Sequence, residues 1–158
     1  MDGGMRGYFG VGAERISKPM NFGAVLRTAH AFGAGFGFSV ARAPSLKEAA
    51  QADTASTPKH VPYYDWPTLD DMVLPKGCAL IGVELTPDAV ELPRFNHPLR
   101  AAYLLGPERG SLSGAAQARC EAMVRIPTRF CVNLSVAAAI ILYDRSLRFG
   151  GGGTRSGR

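Results

Sequence analysis

Five side chains of this sequence stand where a polar group could act on a bound molecule: Asn21, Arg27, Glu108, Asn133 and Ser135. In the stretch NFGAVLRTAHAFG, Arg27 lies off the helical stripe formed by Val25, Leu26, Ala29 and Phe32, and Gly23 one turn earlier leaves room for a phosphate beside the guanidinium. In LLGPERGSLSG, an apolar strand runs into a Gly-Pro turn and then Glu108. Gly106 and Gly110 there let backbone approach a ligand closely, and Pro107 stiffens the turn. Asn133 and Ser135 open a strongly apolar segment, Leu134 to Tyr143, where side-chain oxygens can satisfy the free N–H groups of a helix start. Together these groups offer one guanidinium, one carboxylate and several neutral hydrogen-bonding groups to a bound molecule.

Other chemistries find less support. His30, His60 and His97 have no metal-ligand spacing and read as surface residues, so no metal is expected. The three cysteines, Cys78, Cys120 and Cys131, form no C-x-x-C pair, and Cys131 reads as packing or site lining. The glycine cluster Gly33–Gly37 follows a helix and precedes a strand, the reverse of a dinucleotide loop. It therefore reads as a helix stop and tight turn.

The elements that must position these residues alternate in type, which predicts an α/β domain with a mainly parallel sheet flanked by helices. Strands are expected at 7–12, 36–41, 78–85, 101–106 and 122–126. Asn21 is the expected N-cap of the first helix and Gly33 its stop. Further helical turns are expected in SLKEAAQAD, which opens on Ser45 with Glu48 three residues on, near residue 70, and over 107–121. One domain spans 1–148, and the glycine-rich basic stretch FGGGGTRSGR, 149–158, is expected to be a mobile tail.

The net charge of +5 and pI near 9.4 suit a polyanionic partner. The excess concentrates late in the chain, where seven arginines from Arg119 onward face only Glu121 and Asp144. No basic-then-apolar leader precedes Tyr8, and the apolar run from Cys131 to Tyr143 falls short of the ~20 residues that span a bilayer. With the unpaired cysteines, this predicts a cytoplasmic protein.

Three blocks in order, NFGAVLRTAHAFG, LLGPERGSLS and IPTRFCVNLSVAAAIILYDR, resemble the signature of the SpoU, or TrmH-type, branch of the SPOUT RNA methyltransferases, and its minimal single-domain members in particular. The resemblance implies a deep trefoil knot in the C-terminal half, with S-adenosyl-L-methionine (AdoMet) held in it largely by backbone groups. By position, Val83, Glu84, Leu105, Gly106, Ile126, Val132 and Leu134 would bind the cofactor. A helix threaded through a loop would be apolar all round, which accounts for Leu134 to Tyr143.

The implied reaction is methylation of a ribose 2′-hydroxyl in RNA, most of all tRNA, with the wobble position among the possible targets. Arg27 would anchor phosphate and stabilise the alkoxide, Asn21 would orient Arg27 or the ribose, Glu108 would fix either, and Asn133 and Ser135 would complete the polar lining. Arg109, Arg125 and Arg129, with Arg27, would contact the RNA backbone, and members of this family act as homodimers. The chain departs from the pattern in a short loop before Asn133 and in Cys131, where serine is common, which bears on the choice of nucleotide. Two other readings stay open: a SPOUT enzyme that methylates a base, and a non-catalytic RNA-binding module.

Overall fold

A strand covered on both faces is an unbroken apolar run, and ALIGV and AAYLL are such runs. In the computed structural model, which describes residues 7–44 and 60–149, they form β4 (Ala79–Val83) and β6 (Arg100–Leu105) at the centre of a seven-stranded sheet. Around them stand β1 (Tyr8–Glu14), β2 (Phe36–Val40), β3 (Tyr63–Trp66), β5 (Val90–Glu91) and β7 (Ala122–Arg125), in the order β3-β2-β1-β6-β4-β7-β5. Every strand pair is parallel. The register sets Leu105 beside Ala13 on one side and Val83 on the other, so the carboxyl ends of β1, β6 and β4 finish level.

Alternation along β6 divides the core. Ala101, Tyr103 and Leu105 face a cluster with Val25 and Ala29 of α1 (Pro19–Ala31) and Ala138, Ile141 and Leu142 of α3 (Leu134–Phe149). Ala102 and Leu104 face the other way, onto Leu112 and Ala116 of α2 (Gly114–Arg119) and its approach.

The five expected strands are present, and two more were not foreseen. β5 is two residues long, too short for any periodicity. β3 is a half-exposed edge strand that leans on polar contacts: buried Ser39 donates to Asp65 at 2.7 Å and shares a 2.5 Å hydrogen bond with the Tyr63 hydroxyl. Residues 69–71 form the expected turn near 70, a 3₁₀ turn closed by a capping box between Thr68 and Asp71.

Other boundaries move. Asn21 is not the cap of α1: the helix starts at Pro19, whose ring presets φ for the first helical position, with Lys18 as the capping residue. Gly33 ends it as expected, at φ 77°. The helix expected over 107–121 is only α2, capped by Ser113, which accepts from the Ala116 N–H at 3.1 Å. Gly110 at φ 93° turns the preceding segment away from helical geometry. The helix starting at Ser45 and the residues 150–158 of the tail lie outside the described residues, but Phe149, expected in the tail, is the last residue of α3.

α3 is not apolar-buried all round. Leu134, Ala137, Ala138, Ile141 and Leu142 are buried, whereas Val136, Tyr143 and Leu147 are 47%, 58% and 63% exposed on the opposite side. The helix packs one face on α1 and the sheet and shows solvent the other. Among the described residues no helix is long and apolar enough to cross a membrane.

Two residues expected at the surface prove central. His97 is buried, with Nδ1 2.6 Å from the Tyr103 hydroxyl and Nε2 2.7 Å from Asp144. Arg145 is 4% exposed and donates to the carbonyls of Pro98 at 2.6 Å and Leu99 at 2.8 Å and to the Tyr103 hydroxyl at 3.1 Å. Its guanidinium also lies 5.0 Å from the Phe9 ring centre and 4.6 Å from that of Phe149. Because Arg145 can only donate and the Asp144 carboxylate accepts, Tyr103 donates to Nδ1 and His97 donates from Nε2. This relay fixes the C-terminal half of α3 to the amino ends of β1 and β6.

Candidate active site

In an open parallel sheet, ligands settle beyond the carboxyl ends of strands where neighbouring chain connections diverge. Here β1 leads to β2 on one side while β6 leads to β7 on the other. Next to that divergence lies a cavity of about 220 Å3. Three loops close it, after β4, β6 and β7, together with the starts of α1 and α3.

All seven residues expected to bind the cofactor line this cavity: Val83, Glu84, Leu105, Gly106, Ile126, Val132 and Leu134. So do Asn21, Glu108 and Asn133, which come from three distant parts of the chain. Lys18, Leu85, Pro107, Gly110, Thr128, Cys131 and Ala137 complete the wall. Most of these are chain neighbours of the motif residues, and that adjacency was the available signal. Cys131 was read as packing or lining, and it lines. Glu84 does more than offer main chain. Its Oε2 accepts from the Leu112 N–H at 2.8 Å and so ties the loop after β6 to the end of β4.

The polar side chains form one directed line. Asn133 Nδ2 donates to Asn21 Oδ1 at 3.1 Å, and Asn21 Nδ2 donates to Glu108 Oε1 at 3.3 Å. Glu108 also accepts from the backbone N–H of Lys18 at 2.8 Å, from that of Ser17 at 3.1 Å and from the Ser17 hydroxyl at 3.1 Å. It thus holds the two backbone amides that lead into α1, those of Ser17 and of the capping residue Lys18. Burial pushes the Glu108 carboxyl up, but the N–H donors of Lys18, Glu108 itself and Ser17, with the Asn21 amide, outweigh it and hold it below its usual value. At the other end, Asn133 Oδ1 accepts from the Ser135 N–H at 2.8 Å and caps α3. Ser135 itself does not line the cavity. Its hydroxyl donates to the same Asn133 oxygen at 2.6 Å and so steadies the capping amide.

The arginines divide. Arg27 is exposed on α1 and is not part of the cavity wall. Arg109 is exposed and lines an adjoining cleft, and Arg129 is exposed on the loop before α3. Arg125 instead pairs with Glu91 at 3.1 Å, which ties β7 to β5. Among the described arginines of the C-terminal third, Arg119 donates to the carbonyls of Leu69 and Met72, Arg148 donates to that of Pro93, and Arg145 is buried. Among the described residues no group of His, Cys, Asp and Glu could hold a metal ion.

A parallel α/β layer with a loop-built cavity at its strand-end divergence is the architecture of a ligand-binding enzyme domain. Within that class, the chain belongs to the SpoU rRNA Methylase family, whose model matches residues 9–143. It is 28% identical over 137 residues to the tRNA (guanosine(18)-2′-O)-methyltransferase of Escherichia coli strain K12, a match covering 83% of this chain and 59% of that protein. The chain therefore spans about three-fifths of that relative's length. The fold superimposes on that of the SpoU methyltransferase AviRb from Streptomyces viridochromogenes, solved with AdoMet, with a TM-score of 0.77 at 22% identity, covering 94% of this chain and 64% of that one. It also matches a structure described as giving insights into 2-OH methylation of C/U34 on tRNA, with a TM-score of 0.70 at 23% identity and 92% of each chain covered.

Proposed function

We propose that this chain is an AdoMet-dependent RNA methyltransferase that modifies the ribose 2′-hydroxyl of a tRNA nucleotide. The observation that carries the reading is the line Asn133–Asn21–Glu108 running along a cavity whose wall contains every position expected to hold the cofactor. The relatives named above support it by what they bind and modify.

The residues present fit AdoMet. Val83, Leu105, Ile126, Val132, Leu134 and Ala137 offer an apolar wall for a flat ring system, and Asn21, Asn133 and Glu108 offer polar groups to its ribose and amino-acid portions. When bound, AdoMet would supply a sulfonium-activated methyl group for transfer to the ribose oxygen, with the carbon–sulfur electron pair left on sulfur and the hydroxyl proton released to water. The chain's own task is alignment and charge control. Asn21, held by hydrogen bonds at both ends of its amide, presents a fixed polar edge to the cavity. Arg27, a guanidinium and therefore a donor only, suits phosphate anchoring and stabilisation of the developing alkoxide rather than proton removal, and because it lies outside the cavity of its own chain it would act at the cavity of a second copy. Arg109 and Arg129 are the exposed arginines suited to the RNA backbone.

We further propose that the segment leading into α3 is threaded as a trefoil knot. Its path from β7 at one side of the sheet to α1 at the other supports this reading. The exposed side chains Val136, Tyr143 and Leu147 on α3 favour a homodimer, in which a second copy covers them and Arg27 has a partner surface to address. Unpaired cysteines suit a cytoplasmic setting.

The test incubates the protein with methyl-labelled AdoMet and unmodified tRNA and maps the product by alkaline hydrolysis. Resistance to cleavage at the labelled nucleotide is expected. Label at a cleavable nucleotide would assign base methylation, and cofactor binding without transfer to any RNA would leave a binding module.

A further inference from the structure

Beside the cavity lies a second cleft, lined by Arg15, Ser17, Lys18, Pro107, Glu108 and Arg109. It shares Lys18, Pro107 and Glu108 with the cavity, so the two spaces adjoin. Three cations and one carboxylate face it, and that carboxylate is already occupied by Ser17, Lys18 and Asn21 donors. Among the described residues, neither Lys18 nor Arg109 is paired with a carboxylate, and both are exposed. With Arg15 lying 4.0 Å from the Glu14 carboxylate, the cleft owes its net positive charge to Lys18 and Arg109.

The backbone here is shaped against its local preference. Arg15 has φ 54°, a left-handed conformation that is uncommon for a residue with a Cβ and gathers at functional sites. Its guanidinium donates to the Ser111 carbonyl, which ties the loop after β1 to the loop after β6. Buried Ile16 pins the turn from below. Strain, tether and anchor together hold Lys18 and Arg109 across one opening, with Arg15 as the wall.

We propose that this cleft is a subsite for one phosphodiester of the RNA, next to the nucleotide whose ribose enters the cavity, with Lys18 and Arg109 as its ligands. The inference rests on the RNA methyltransferase reading given above. It is distinct from phosphate anchoring by Arg27, which lines neither space. Glu108 already takes the backbone amides of Ser17 and Lys18, so within this cleft the anion is met by ammonium and guanidinium groups.

The experiment measures binding of unmodified tRNA to the full chain by fluorescence anisotropy over a salt series, with AdoMet affinity measured in parallel by calorimetry. Lys18→Gln and Arg109→Gln should each weaken RNA binding by about tenfold near 0.1 M salt, as loss of a charged hydrogen bond does. The double variant should lower the slope of log affinity against log salt by about 0.7–0.9, one phosphate. Lys18→Arg and Arg109→Lys should restore both, and the AdoMet affinity of Arg109→Gln, at a position that lines the cleft and not the cavity, should stay at the wild-type value. An unchanged slope in the double variant, while the wild type binds RNA with a salt dependence, overturns the subsite alone. Loss of AdoMet affinity with RNA binding intact also overturns it, by assigning the cleft to the cofactor's carboxylate. If the wild type itself neither binds RNA nor transfers methyl to it, the functional reading falls and the subsite with it. Both positions are exposed, and the charge-conserving variants give a readout even if a neutral one folds poorly.

Discussion

The side-chain amide of Asn133 donates to the side-chain carbonyl of Asn21 at 3.1 Å, joining the first turn of α1 to the cap of α3. Asn21 is 8% exposed, so its polar atoms depend on Asn133 and Glu108 rather than on water. Both functional loops and both helix starts meet through this one amide.

Breaking that link should affect site and stability together. Asn21→Ala leaves Glu108 and Asn133 each short of a partner, at about 1–3 kcal/mol. Asn21→Asp sets a second carboxylate against Glu108 and should cost more, although its size is conserved. Denaturant midpoints rank the two variants, and both should lower methyl transfer by at least about tenfold.

Glu108 predicts an acid limit. Its folded pKa lies below the ordinary 4.5, so the stabilisation it contributes is fully present above that value and is lost as pH falls through the lower folded one. The stability difference between wild type and Glu108→Gln should be constant from neutral pH down to about 4.5 and shrink below it. A difference that grows on acidification would contradict this.

His97 acts at a higher pH. Burial lowers its pKa below 6.5, against the opposing pull of Asp144, so the folded protein favours the neutral ring. Stability should therefore be complete above about 6.5 and decline as pH falls through the folded value, because the unfolded chain takes up the proton first. His97→Gln should flatten this part of the profile while lowering the midpoint at pH 8, read by thermal unfolding across a buffer series.

Arg145→Met should be among the most damaging substitutions outside the cavity. It strands the carbonyls of Pro98 and Leu99 and the Tyr103 hydroxyl, and a loss of about 3 kcal/mol is expected. Chemical denaturation checks it, and activity per folded molecule should stay close to wild type.

Charge placed on the open side of α3 tests the dimer. Tyr143→Asp and Leu147→Asp alter exposed positions, so the fold should persist while self-association weakens by at least about tenfold. Light scattering at micromolar concentration should report a dimer for the wild type and a monomer for the pair.

Much of this was legible before any coordinates. Runs such as ALIGV and AAYLL announce strands, and the seven positions proposed for the cofactor lie together on one cavity wall. What could not be read depended on contacts between remote positions. His97 looks like any surface histidine until Asp144 and Tyr103 close around it, and Arg145 looks like part of a basic patch until it meets the carbonyls before β6. Arg125 was lost to the proposed RNA surface by its pairing with Glu91 on a strand too short to foresee. The chain leading into α1 is held by Glu108 from another loop, a contact that no local pattern encodes.

The all-parallel sheet also sets how the molecule must assemble. Tyr8 pairs with Arg100 at the sheet's middle, so the central seam cannot form until most of the chain has been brought together. Non-local pairings of this kind slow refolding, because the entropy of closing a long loop is spent before any contact repays it. Until then β1 has an open edge, and the unfinished intermediate is the species that a chaperone would have to shield.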